Sequence, residues 1–125
     1  MKLFLDLFAI GIAASFGALV RYGFAQAFAE SKFPMGTFIA NMTGCLLIGV
    51  LVGSSDSWLS PRMKLAAGVG FLGSLTTFST FAAETVQAAQ KQAMPTAIGS
   101  VGANVIAGVT LVMIGIWLGK TVAGK

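Results

Sequence analysis

The sequence contains no histidine, and only 10% of its 125 residues are charged. Without histidine, the commonest general base, the commonest metal ligand and the usual proton shuttle near neutral pH are missing. Serines are plentiful, but no histidine can activate one and no Ser-x-x-Lys pairing occurs, so enzyme readings lose their usual nucleophiles. The low charge excludes an ordinary soluble domain, which would carry about a quarter charged residues. A single cysteine, Cys45, makes no intrachain disulfide and no cysteine metal site, and reads as small apolar filler. The net charge of +4 is scattered rather than gathered into a basic stripe. It argues for no nucleic acid partner and suits contact with anionic lipid headgroups.

What is there is apolar surface: 56% of the residues are hydrophobic. Four apolar segments, at about residues 3–28, 35–53, 63–90 and 96–118, fill the chain as one four-span membrane unit. Each is long enough to cross a bilayer as a helix, for which about 20 residues suffice. No closed barrel can be built from so few residues, so an all-α membrane protein is expected. The joints are Glu30-Ser31-Lys32-Phe33-Pro34, Ser54-Ser55-Asp56-Ser57 and Lys91-Gln92 with Pro95. Ser60-Pro61 reads as a helix start, with proline in the first turn. Arg21 lies between the uncharged stretch Leu7 to Val20 and Ala25-Gln26-Ala27, which argues against a cleaved leader. Lys2, Arg62, Lys64, Lys120 and Lys125 fall on one side of the membrane, and Lys32 and Lys91 on the other, with Arg21 near that end. This bias weakly favours cytoplasmic termini and is small enough to allow insertion both ways round.

Small residues recur at four-residue spacing: Ala40 and Gly44, Gly49 and Gly53, Gly99, Ala103 and Ala107, Gly115 and Gly119. Such spacing lets helices approach closely in lipid. Four short helices poorly enclose a polar path alone, so the pattern hints at an oligomer. Gly68-Val69-Gly70-Phe71-Leu72-Gly73 spells a dinucleotide-binding pattern but sits inside an apolar segment, with no strand context. Its glycines are expected to thin or break a helix.

The third segment holds Gly73-Ser74-Leu75-Thr76-Thr77-Phe78-Ser79-Thr80-Phe81. On a helix, Gly73, Thr77, Thr80, Glu84, Gln87 and Lys91 draw one polar stripe, with Phe78 and Phe81 on a neighbouring face and Ser79 pointing elsewhere. Glu84 is an intramembrane acid, and fits either a functional group or a packing hydrogen bond. Asn41 in the second span and Asn104 in the fourth add amides that need partners in lipid. Arg21 fits an interfacial anchor or a vestibule attractive to anions. Hydroxyls, amides and phenylalanine ring edges suit an anion, whereas ring faces suit a cation. The residues alone therefore point to a small-ion or small-solute path, with an anion slightly preferred.

At these residues the chain resembles the Fluc (CrcB) family of microbial fluoride channels. The pieces that carry the resemblance are Gly17-Ala18-Leu19-Val20-Arg21, the stretch from Gly36 through Asn41 to Gly44, the run from Gly70 through Phe81 with Glu84, and Asn104. The resemblance spans the whole chain and implies a fluoride-selective passive channel in the cell membrane of a microbe. It implies an antiparallel homodimer of four-helix subunits, with the third helix broken near Gly73 to Thr76. Backbone carbonyls of Gly73 and Thr76 would hold a structural sodium ion between the subunits. Phe78 and Phe81 would turn ring edges to fluoride, Asn41 would donate to it, and Ser79 and Thr80 would belong to the polar track. Asn104 matches a variable lining position, and Arg21 would line the vestibule. Ser74 stands where the family usually has a second glycine. Two other readings are a small proton-coupled multidrug exporter, which needs an embedded acid, and a structural membrane subunit.

Overall fold

A computed structural model describes residues 1–54 and 59–124. The expected joint at Ser55-Asp56-Ser57 and the terminal Lys125 lie outside the described residues. Among the described residues every regular element is helical: α1 Lys2–Ala27, α2 Met35–Gly53, α3 Pro61–Leu65, a π-helical segment Ala66–Leu72, α4 Gly73–Leu75, α5 Phe78–Gln90 and α6 Met94–Val122. Elements α3 to α5 together form the third span, so among the described residues four helices are long and apolar enough to cross a membrane. The all-α expectation and the interrupted third helix are both present, and the chain is a multi-pass membrane protein.

The helix ends follow local chemistry. Ser60 caps α3 by accepting from the Met63 amide at 3.3 Å, with Pro61 in the first turn. Thr77 caps α5 by accepting from the Thr80 amide at 3.2 Å. A cap of this kind stabilises a helix by about 1 kcal/mol. Near the chain's start, Arg62 Nε pairs with Asp6 Oδ1 at 2.6 Å, tying the beginning of α3 to the beginning of α1.

Helix packing is set by glycine. α2 and α6 run parallel, with Gly49 against Gly115, and Gly53 and Gly119 against neighbouring backbone one turn on. A Cβ at any of these four would run into main-chain atoms of the facing helix. Gly17 on α1 sits directly on the Phe71 carbonyl, and Gly70 on Ile10 and Ala13. Of the dinucleotide-like glycines, Gly70 therefore serves the contact between α1 and the π-helical segment, while Gly68 faces Leu51 and Ile48 of α2. Gly99 is different: a Cβ there would meet nothing within 4 Å, so Gly99 itself makes no packing contact in the protomer. Leu72 and Leu75 are buried beside Ala40, and this small core braces the third span where it breaks.

Candidate functional site

The interruption of the third span lies at Thr76 and Thr77. Thr76 has φ −84° and ψ 152°, and Thr77 has φ −150° and ψ 114°, so two extended residues separate α4 from α5. The expected break began at Gly73, but Gly73 is still helical, with φ −62° and ψ −28°. Its freedom to leave the helix is not used. Instead, the Thr77 amide, which in an unbroken helix would bond the Gly73 carbonyl, donates to Asn41 Oδ1 at 2.9 Å. The Thr76 amide still reaches Leu72 O at 3.1 Å, and the Thr76 hydroxyl bonds the same carbonyl at 3.0 Å. The Thr76 methyl fits into the gap at Gly44, where a Cβ would overlap it.

The break produces two helix ends close together in one chain. The end of α4 has carbonyls without helical donors, the Gly73 carbonyl first among them, and is partially negative. The start of α5 has the Phe78 and Ser79 amides, with no preceding turn to bond, and is partially positive. Cations and anions are favoured at these ends respectively.

On one side of the break lies an open groove of about 440 Å³ whose lining includes Asn41, Gly73, Thr76, Phe78, Phe81 and Asn104. The structure thus brings six of the sequence-derived residues together. Phe78 and Phe81 share the groove as neighbours, with ring centroids 5.7 Å apart and planes tilted by 58°. Phe78 is 79% exposed in the protomer. Asn41 does not project freely into the groove. Its amide nitrogen donates to Asn104 Oδ1 at 3.2 Å and to Thr77 O at 3.4 Å.

A second pocket of about 290 Å³ lies on the other side, lined by Arg21, Tyr22, Thr37, Thr77, Thr80 and Glu84 among others. Thr77 is buried and lines both pockets, so it forms the wall between them. Its hydroxyl donates to Thr80 Oγ1 at 3.0 Å and lies 3.4 Å from Ser79 Oγ. Ser79, expected to point elsewhere, therefore joins the cap of α5. Thr77, Thr80 and Glu84 do share a face, as the stripe implied; Gly73 lies across the break, in the groove.

Thr37 was not singled out from the sequence, yet its hydroxyl donates to Glu84 Oε1 at 2.9 Å. Thr37 lies four residues before Asn41, so helical spacing already put it on the same face. Glu84 Oε2 is buried without a partner, as is the hydroxyl of Ser100, which is 1% exposed. A hydrogen-bonded series thus runs from Thr80 through Thr77 and Asn41 to Asn104, and the Thr37–Glu84 pair lines the same second pocket as Thr77 and Thr80. Among the described residues, no group of three or more Cys, Asp or Glu side chains could hold a metal.

The sequence has clear relatives. It is 39% identical to a protein of Acidobacterium capsulatum over 93% of this chain and 94% of that one, named a fluoride-specific ion channel, FluC. A protein of Polynucleobacter asymbioticus with the same name is 39% identical over 92% of this chain and 95% of its own length. A Listeria innocua protein named fluoride-specific ion channel FluC 1 is 38% identical over 88% of this chain and 93% of its own. The model of the family described as CrcB-like protein, Camphor Resistance (CrcB), matches residues 8–116, and this chain belongs to that family.

Proposed function

We propose that this protein is a passive channel that lets fluoride leave a microbial cell across its cell membrane. The observation that carries the reading is the break at Thr76 and Thr77, with two phenylalanines and a positive helix end beside it. Fluoride is small and strongly hydrated, so a selective path must replace its water with several donors. The Phe78 and Ser79 amides, the ring edges of Phe78 and Phe81, the Ser79 and Thr80 hydroxyls and the Asn41 amide are that set. The 3.4 Å bond from Asn41 to Thr77 O is its longest, and is the one an arriving anion would displace. Arg21, in the second pocket, would raise the local anion concentration. Neutral HF entering from an acidic medium ionises in the cytoplasm, and the channel returns the anion down its gradient. The mechanism uses no enzyme chemistry and no energy source.

The same break supports a structural sodium ion. Gly73 has lost its helical donor to Asn41, and the Thr76 carbonyl belongs to an extended residue. Both residues line the open groove, and uncharged carbonyls are suitable donors for a hard monovalent cation. The donors present therefore fit the ion. A bound sodium ion would neutralise the negative end of α4. Two carbonyls form only part of a coordination shell, and a second copy of the chain would double it. The exposed Phe78 ring likewise gains a covering surface in a dimer. The scattered charge suits two copies inserted antiparallel, forming one four-span unit each.

The exporter reading is weakened by the acids: Asp6 is paired with Arg62, and Glu84 accepts from Thr37. Proteoliposomes carrying the purified protein should release fluoride without a proton gradient, as read by a fluoride electrode; release no faster than from empty vesicles sinks the channel reading. Single cysteines at Lys32 and Lys120 should each label from outside whole cells in part of the population. One-sided labelling removes the antiparallel arrangement.

A further inference from the structure

We propose that Asn41 is a positioning residue that closes the backbone gap in the third span, and that Asn104 fixes which way its amide faces. Two extended residues in a membrane-spanning helix leave backbone groups without their helical partners, which is costly where no water can replace them. Asn41 meets that cost at Thr77 from outside the span. Its Oδ1 accepts from the Thr77 amide at 2.9 Å and its Nδ2 donates to the Thr77 carbonyl at 3.4 Å. One side chain thus pairs with both backbone groups of one residue, as an adjacent strand would. Gly44, three residues on and on the same face of α2, makes room for the Thr76 methyl. α2 is therefore a cradle for both extended residues: a gap for one and an amide for the other.

The cradle works only if the amide is the right way round. With its two ends exchanged, Asn41 would present its nitrogen to the Thr77 amide, donor against donor. Asn104 prevents this. Its Nδ2 is committed to Ser100 O at 2.9 Å, one turn earlier in α6, so its Oδ1 faces Asn41 and accepts from Asn41 Nδ2 at 3.2 Å. Orientation is thus passed from the α6 backbone through two amides to the break. Phe78 follows directly after the clasped residue and Phe81 one turn later, so the clasp sets where both rings sit. Asparagine is the suitable residue because aspartate keeps the acceptor but lacks the donor, and alanine lacks both. The clasp stands apart from the channel reading; only its effect on flux rests on that reading.

The test is site-resolved amide exchange on the full-length protein in detergent micelles, alongside fluoride efflux. In Asn41→Ala, protection of the Thr77 amide should fall about tenfold or more, while Asn41→Asp, which keeps the acceptor but loses the donor to Thr77 O and Asn104 Oδ1, should show a smaller loss than Asn41→Ala. Asn104→Ala should weaken Thr77 protection on its own and add nothing in the Asn41→Ala background. Unchanged protection at Thr77 in Asn41→Ala overturns the proposal. So does an equal loss of protection throughout α2 and α6, because the side chain would then be only general packing. A protein that shows the expected exchange pattern but conducts no fluoride keeps the clasp and loses the channel reading.

Discussion

Replacing Phe81 with isoleucine should abolish fluoride flux and leave the protein folded and assembled. Isoleucine fills much of the same space and remains at home in lipid, so the packing cost is small. What is lost is electrostatic. A phenyl ring presents a positive edge to an anion, and an aliphatic side chain presents nothing comparable. Phe81 lines the groove beside Phe78, with centroids 5.7 Å apart, so the two rings border one space next to the positive end of α5. A fluoride ion stripped of water there has few substitutes for a missing contact. Removing one preorganised donor from a dry anion site costs about 3 kcal/mol, or roughly a hundredfold in rate. Efflux from proteoliposomes should fall by at least that factor, with an unchanged elution volume in size-exclusion chromatography. Normal flux would remove the ring-edge assignment while leaving the family membership intact.

The membrane class, the helix starts and the importance of the run from Gly73 to Phe81 were legible because each is written locally. Ser60-Pro61 and Thr77 through Thr80 carry their own capping chemistry. The face shared by Thr77, Thr80 and Glu84 was legible because all three belong to one helix and its cap. The position of the break was legible only to within a turn: the family resemblance implied Gly73 to Thr76, and the chain leaves the helix at the far end of that range, at Thr76 and Thr77. The deciding group is Asn41, 36 residues away in sequence from the amide it captures. No window along the third segment contains that competitor. The small-residue spacing shows the same limit. Gly115 and Gly99 follow the same four-residue rule, yet one touches the α2 backbone and the other touches nothing. Spacing says which face a glycine occupies, and only the partner helix says whether that face is used.

The largest effect on folding should come from Gly115→Val. Lipid tails are as apolar as the side chains they surround, so helices in a bilayer are held mainly by close packing and hydrogen bonds. The α2–α6 seam is packed backbone to backbone: a Cβ on Gly115 would collide with Leu46 O, and would stand 2.9 Å from Gly49 Cα. Neither obstacle is a flexible side chain that can swing away. Overpacking a soluble core costs about 1–3 kcal/mol because neighbours relax. Here the main chains must separate instead, along a seam that continues through Gly53 and Gly119, so the cost should reach the upper end of that range or pass it. Because Asn41 and Asn104 span the same pair of helices, separation at Gly115 would also stretch their 3.2 Å bond and loosen the break. Gly115→Val should therefore lose both the folded species in detergent, read by thermal melting, and fluoride flux. Gly11→Ala, where a Cβ meets nothing within 4 Å, should leave melting unchanged or slightly raised, since alanine favours a helix over glycine by about 1 kcal/mol. If the two variants melt alike, the α2–α6 seam is not what holds the protomer together.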